Sequence, residues 1–286
     1  MRIDAHQHFW RYQPRRDTWI TDEMSVLKRD FLPGELIAEM AKNLVDRSIA
    51  VQADQSEHET QFLLELAHQH PTIAGVVGWT DLTARDLPKR LEYYLQFDKL
   101  CGFRHIVQAE PDDQFMLRGD FVRGIEFLKE CSFTYDILIY AKQLPAAIGL
   151  VERFPEQRFV IDHMAKPAIR TREISMWSQG MRALAANPNV HCKLSGLVTE
   201  ADWRRWKPDD FKPFLDVVFE AFGTNRLMFG SDWPVCLLAG TYQRVKDLIV
   251  GYTAGLSESE KDNIFGLNAA RFYGWRALRH EPATEG

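Results

Sequence analysis

The 286-residue sequence predicts an α/β fold, a single-domain (β/α)8 TIM barrel. Three observations carry that prediction. Eight short apolar segments alternate with eight amphipathic ones, the pattern of a parallel sheet with right-handed crossovers. The length suits one barrel, and no Gly-, Ser- or Pro-rich linker divides the chain. Polar and titratable side chains gather at the carboxyl ends of the apolar segments, the rim where a barrel places its chemistry. A doubly wound open sheet is the runner-up, and no Gly-rich phosphate loop follows the first strand to support nucleotide binding.

The first segment, 1–10, reads Met-Arg-Ile-Asp-Ala-His-Gln-His-Phe-Trp. Ile3 and Ala5 mark a strand, and side chains on a strand alternate faces. His6 and His8 therefore leave on one side, and the same parity places Asp4 with them. Two imidazoles at a strand end can hold a metal or polarise a carbonyl. A long connection, 9–32, follows with Trp10, Tyr12, Arg15, Arg16 and Trp19. Loops of that length in compact domains are often functional. Pro33-Gly34 closes it, and Leu36, Ile37, Met40 and Leu44 set helical spacing over 35–47.

Later strands are expected at 48–54, 73–79, 101–106, 134–140, 158–163, 190–195 and 227–232. Helices are expected between them at 57–70, 86–96, 120–130, 144–154, 173–186 and 210–222, with another at 241–253. Phe62, Leu63, Leu66 and Ala67 share one face of the first of these, and Pro71 stops it. Two more helical stretches, 258–265 and 267–278, complete a barrel unit spanning 1–278. A polar tail occupies 279–286.

Composition narrows the function classes. The sequence is 45% hydrophobic and 26% charged, with a net charge of −5, which gives no basic nucleic-acid face. No apolar stretch reaches spanning length, and Asp4 and His6 interrupt any signal-like run at the start. Cys101, Cys131, Cys192 and Cys236 form no C-x-x-C pair and read as reduced, so a cytoplasmic location is expected.

The strand ends converge on one rim. Strand one brings His6 and His8, strand two Gln52 and Asp54, strand three Trp79 and Thr80, and strand four Arg104 and His105. Strand five ends at Tyr140. Strand six ends Asp162-His163 with Lys166 beyond, strand seven carries Lys193 and Ser195, and strand eight ends at Asp232 with Trp233 next. Each has a plainer role available. His163 can bond a backbone carbonyl, Asp232 can cap the Gly-Ser-Asp-Trp-Pro turn, Arg104 can pair with Glu110, and Lys193 can reach out to water. Convergence favours a site, because closing a barrel makes strands one and eight neighbours. His58, His68, His70 and His280 fall in helices or the tail and read as solvated.

Five motifs in order resemble the amidohydrolase superfamily. They are Asp-Ala-His-Gln-His-Phe-Trp at 4–10, Gly-Phe-Arg-His at 102–105, Ile-Asp-His-Met-Ala-Lys-Pro at 161–167, Lys-Leu-Ser-Gly at 193–196 and Gly-Ser-Asp-Trp-Pro at 230–234. The chain is most similar to the amidohydrolase 2 branch of sugar-acid lactonases, of the L-fucono-1,5-lactonase and L-rhamnono-lactonase type. Two-metal members carry a bridging Lys or Glu on strand four and a His on strand five. Here strand four ends Phe-Arg-His-Ile, strand five ends Leu-Ile-Tyr-Ala, and Arg104 would repel a second cation, so a binuclear site is not expected. By ligand type His6, His8, His163 and Asp232 suit one divalent ion such as Zn²⁺. The resemblance to lactonases that work without metal implies that no cofactor is required.

What the resemblance implies is ester hydrolysis of a small sugar lactone in carbohydrate catabolism. Asp232 is expected as general base on water, with His6, His8 and His163 stabilising the oxyanion and His163 protonating the leaving alkoxide. Arg104, His105, Gln52, Lys166 and Tyr140 are expected to bind hydroxyls, and Trp10, Trp79 and Trp233 to wall the ring. Two rival readings are a single-metal decarboxylase of an unsaturated or aromatic acid and an inactive sugar-acid binding barrel. Fuconate, galactonate, arabinonate and rhamnonate lactones all satisfy these features, in any oligomeric state.

Overall fold

The computed structural model describes residues 1–274. Strands β1 (Ile3–Gln7), β2 (Arg47–Val51), β3 (Ile73–Gly78), β4 (Leu100–His105), β5 (Thr134–Ile137), β6 (Phe159–Ile161), β7 (Val190–Leu194) and β8 (Leu227–Phe229) form one sheet in that order. All neighbouring pairs are parallel. Helices α1 (Pro33–Lys42), α2 (Glu57–Gln69), α3 (Leu87–Tyr94), α4 (Gly119–Glu130), α5 (Leu144–Arg153), α6 (Ser175–Ala185), α7 (Pro208–Phe222) and α8 (Tyr242–Tyr252) each follow the strand of the same number. The expected (β/α)8 barrel is what forms.

Between β8 and β1 the seam is closed locally. Gln7 bridges Trp233 in parallel, the His8 amide donates to the Trp233 carbonyl at 2.7 Å, and the Asp232 amide to the His6 carbonyl at 2.9 Å. Gly230 permits this approach, since a Cβ there would stand 2.6 Å from the Cβ of His6. The register of β1 on β2 shifts between Asp4 and Gln7, which breaks the strict alternation. The parity expected of Asp4 is therefore wrong. Its carboxylate turns to the seam and accepts from the Ser231 amide at 2.9 Å and the His6 amide at 3.1 Å.

Two apolar shells result from the period-two strands. Outward residues such as Phe103, Tyr135, Ile137, Phe159, Ile161 and Leu194 meet the helices. A smaller cluster of Ile3, Ala5, Ile49, Val51, Val77, Val160 and Met228 lies with Ala269, Ala270, Phe272 and Tyr273. These last four belong to α10 (Asn268–Phe272) and the residue after it, downstream of α9 (Glu258–Asp262) and a π turn (Asn263–Leu267). The helix expected over 267–278 thus ends at Phe272 among the described residues; 275–278 and the tail lie outside them.

β6 and β8 stop ahead of their expected ends, where Asp162-His163 and Ser231-Asp232 follow, and β5 stops at Ile137, ahead of the buried apolar Leu138 and Ile139. The segment 9–32 is not a free arm. Trp10 pairs antiparallel with Phe31, its indole donates to the Arg29 carbonyl at 2.9 Å, and Phe31 packs edge-on against both Trp10 and Trp233. Aromatic pairs of this kind contribute about 0.5–1.5 kcal/mol each beyond their area.

The β2–α2 connection is clamped by a buried acid. Ser56 caps α2 by accepting from the Glu59 amide at 3.2 Å, and the Glu59 carboxylate accepts from the Ala53 amide at 2.5 Å and the Asp54 amide at 3.0 Å. Burial pushes Glu59 from 4.5 up to about 7. A carboxyl raised on folding stabilises the protein below its unfolded pKa, and that advantage is lost as pH rises through the folded value. At about 1.4 kcal/mol for each pH unit between the two values, the charged form costs roughly 3–4 kcal/mol in alkali. Glu59→Gln keeps the acceptor without the charge. It should raise stability by about 3–4 kcal/mol near pH ~8.5 and by under about 1 kcal/mol near pH ~5, read from urea unfolding at both.

Candidate active site

The four residues expected to converge do so. His6 and His8 face each other Nε2 to Nε2 at 3.1 Å. Asp232 Oδ1 lies 3.3 Å from His8 Nε2, 3.9 Å from His6 Nε2 and 4.0 Å from His163 Nε2. All four are buried. Burial alone would raise the Asp232 carboxyl, but His163 and the hydrogen bond from His8 outweigh it and hold it below the ordinary range. It is therefore ionised at neutral pH. Burial lowers His163 to about 4 and His6 well below its usual value, so both stand neutral there.

Local backbone conformation aims these groups. His163, Met164, Ala165 and Lys166 have φ of 53°, 52°, 56° and 48°. Left-handed backbone costs about 1–2 kcal/mol for each residue with a Cβ, so the surroundings must impose it. The Trp177 indole of α6 donates to the Met164 carbonyl at 2.7 Å, and His163 Nδ1 meets Ser195 Oγ at 2.9 Å. Gly196, with φ of +62°, leaves room for the ring, since a Cβ there would lie 2.4 Å from His163 Nδ1. Asp232 is also left-handed, with φ of 57°.

Beneath the imidazoles lies a charged network. The Lys193 ammonium contacts Asp136 Oδ2 at 2.5 Å, Asp162 Oδ1 at 2.9 Å and His6 Nδ1 at 3.1 Å. Arg104 Nη1 donates to Asp162 Oδ2 at 2.9 Å and approaches His6 Nε2 at 3.4 Å, while Nη2 donates to the Gln52 carbonyl. The Tyr273 hydroxyl donates to Asp136 at 2.9 Å. Lys193 and Asp162 are fully buried, so Lys193 does not reach water. Burial opposes ionisation of Asp162, yet Lys193, His6 and Arg104 hold it well below the carboxylate range. Burial pushes Asp136 up to about 6 against the pull of Lys193. Sequence reasoning missed Asp136 and Tyr273 and left Asp162 without a role. The signal available was a lone acid on the inward parity of the apolar segment Thr-Tyr-Asp-Ile.

The expected binding residues divide into two groups. Arg104 and Gln52 reach the floor; the Gln52 amide donates to the Arg104 carbonyl at 3.2 Å, leaving its buried Oε1 without a partner among the described residues. Lys166 and Tyr140 stand further out, with Nζ 5.4 Å from the Tyr140 ring and 3.7 Å from Glu200. Tyr140 lies beyond the end of β5 and is 40% exposed. His105 has the opposite parity to Arg104. It stacks on Phe115, accepts from the Trp79 indole at 3.3 Å and bonds Glu110 at 2.7 Å, away from the imidazole cluster. Glu110 is thus the partner of His105 and not of Arg104. Trp10 and Trp233 are buried in aromatic packing under the 9–32 segment.

The donor set fits a metal. Nε2 of His6, Nε2 of His8 and a carboxylate oxygen of Asp232 belong to a group whose ligand atoms lie within 4.8 Å of one another. A second such group, His6, Asp162 and His163, shares His6, but its carboxylate already faces two cations.

A parallel barrel with a strand-one His pair, a strand-six His and a strand-eight Asp is the arrangement of metal-assisted or metal-like hydrolases. The chain belongs to the Amidohydrolase family, which it matches over residues 3–275. It is 44% identical to an L-fucono-1,5-lactonase of Burkholderia multivorans over 284 residues, 96% of each chain. It is 36% identical to an L-fucono-1,5-lactonase of Burkholderia ambifaria over 95% of each. A crystal structure of a Burkholderia multivorans amidohydrolase with bound zinc superposes with a TM-score of 0.93 at 44% identity, covering 96% of this chain and 99% of that one. Among the described residues, no helix is long and apolar enough to cross a membrane.

Proposed function

We propose that this protein opens the ester ring of a sugar lactone, of the L-fucono-1,5-lactone class, to the sugar acid. The observation that carries the reading is a buried Asp232 carboxylate, held below the ordinary range, within 4.0 Å of three imidazoles. The names of the two Burkholderia relatives, similar along nearly their whole length, support the substrate class.

Asp232 accepts a proton from water, whose oxygen adds to the lactone carbonyl carbon. His8 and His163 border the space where the oxyanion forms, with Arg104 below supplying positive charge. As the ring C–O bond breaks, the proton held at Asp232 passes to the alkoxide through His163, 4.0 Å away. Gln52 Oε1 is an open acceptor for a sugar hydroxyl, and Lys166 and Tyr140 lie where the outer hydroxyls would rest. We assign no substrate contact to His105, Trp79, Trp10 or Trp233. A divalent ion held by His6, His8 and Asp232, with His163 alongside, would supply Lewis-acid polarisation. Turnover does not require it in this reading, because the groups above already provide base and charge.

The test is hydrolysis of a panel of sugar lactones followed with a pH indicator, before and after exhaustive chelation. Turnover of at least one six-carbon lactone, nearly unchanged by chelation, is expected. Absence of turnover on every lactone sinks the reading; collapse on chelation with rescue by Zn²⁺ replaces its metal-free form. Gly196→Ala should displace the His163 ring, lowering kcat by about ten- to a hundredfold while KM changes little. It should also cost about 1–3 kcal/mol in the denaturant midpoint.

A further inference from the structure

We propose that Glu200, on the connection between β7 and α7, is a specificity-determining residue that recognises one sugar hydroxyl together with the Lys166 ammonium. This deepens the lactonase reading and rests on it for the class of ligand. Lys166 Nζ lies 3.7 Å from Glu200 Oε1, an ion-pair distance beyond the reach of a direct hydrogen bond. Among the described residues, that approach and the Tyr140 ring, 5.4 Å from Nζ, are the close contacts of the two charges. An ammonium offers three donors and a carboxylate only acceptors, so both keep unused capacity toward the gap between them. A hydroxyl both donates and accepts. An oxygen about 2.8 Å from each group closes a triangle over that gap, accepting from Lys166 and donating to Glu200. A methyl or hydrogen in its place leaves both charges unserved.

The backbone under both side chains is pinned. Lys166 ends the left-handed run from His163, and its amide donates to the His163 carbonyl at 2.9 Å, so one turn aims the imidazole and the ammonium together. The Glu200 carbonyl accepts from the Arg170 amide at 3.1 Å, which ties the β7–α7 connection to the β6–α6 connection. Beside it, the Thr199 carbonyl accepts from the Trp203 indole at 2.8 Å, and Thr199 Oγ1 donates to the Gly196 carbonyl at 2.8 Å. A recognition pair on fixed backbone costs less to order when a ligand arrives.

Depth sets which part of the ring is read. Side-chain exposure rises from 5% at Asp232 to 17% at Lys166 and 22% at Glu200, so the pair stands on the solvent side of Asp232. It remains within electrostatic reach. Lys166 helps hold Asp232 low against its burial, and Asp232 adds to the burial that pushes Glu200 up. With the lactone carbonyl at Asp232, the hydroxyl taken by the pair lies on the outer part of the ring. A partly exposed ion pair of this length adds little to stability, so the fold should tolerate its removal.

The test is a cycle between residue and hydroxyl. The lactone turned over best and each of its monodeoxy analogues are assayed with wild type, Glu200→Ala and Glu200→Gln. In the wild type, loss of one particular hydroxyl should lower kcat/KM by about 30-fold or more, chiefly through KM. In Glu200→Ala the parent lactone should lose a similar factor, and removing that hydroxyl should then cost less than about threefold. Glu200→Gln keeps an acceptor oxygen and should fall between the two. A merely structural Glu200 would slow every lactone alike. Equal deoxy penalties in wild type and Glu200→Ala therefore overturn the proposal, as does a wild type indifferent to every hydroxyl. If no lactone is turned over, the same cycle is run as calorimetric binding of L-fuconate and its monodeoxy analogues. Coupling in that binding leaves this inference standing while the proposed function falls, and its absence sinks both.

Discussion

Replacing Asp232 with Asn should lower kcat on the best lactone by about 10³-fold or more, with KM little changed and the thermal midpoint within a few degrees of wild type. The physical grounds are specific to the position. Asp232 lies between His8 and His163 with its carboxyl held below the ordinary range. A general base contributes on the order of 10²–10⁴, and an amide cannot take the proton of water. The fold should tolerate the change, because the backbone there has φ of 57° and Asn accepts left-handed conformations nearly as readily as Asp. The same assignment sets the pH profile. A base depressed by its histidine neighbours stays active as pH falls through 6 and 5, and kcat/KM should decline only below about pH 4. Near wild-type turnover in Asp232→Asn would remove this residue from the mechanism and leave the three imidazoles to explain it.

The second large effect concerns stability. Lys193→Met alone should destabilise the protein by about 3–5 kcal/mol, read as a shift of the urea midpoint without a change in slope. Its ammonium is fully buried against two carboxylates, and removing it leaves Asp136 with the Tyr273 hydroxyl but no countercharge and Asp162 with Arg104 and His6. Breaking a buried pair costs far more than replacing both members, since the remaining charge has lost its water and its countercharge. Adding Asp136→Asn should therefore recover a substantial part of the loss. If the single and paired variants unfold together at the wild-type midpoint, the network carries no stability and the buried charges are compensated elsewhere. Asp136 also shows the sign of its own contribution: pushed up to about 6, it weakens the folded state as pH rises through that value, in opposition to a carboxylate such as Asp162 held low.

Much of this was readable before folding. The alternation of apolar runs fixed the barrel, because period-two strands and period-3.6 helices need no long-range information. Closure of that barrel then required His6, His8, His163 and Asp232 to meet, and they do. Strand ends were less legible. β5 stops at Ile137 although Leu138 and Ile139 are apolar and buried, an end that period-two alternation does not mark. Tyr140 lies beyond it and is exposed. Trp10 and Trp233, expected with Trp79 to wall a ligand, are buried against Phe31, a role that a Trp in a loop satisfies equally well on composition.

What the sequence determined by itself was which chemical groups stand on which strand, for that follows from local periodicity. Only the tertiary structure decided which of them touch. A register shift in β1 turned Asp4 toward the seam, opposite parity sent His105 to the helices, and Lys193 became the buried partner of Asp136, Asp162 and His6. Those outcomes depend on distances of a few ångströms between segments far apart in the chain. Hydrogen-bond and Coulomb energies change steeply over that range, and no local pattern encodes it.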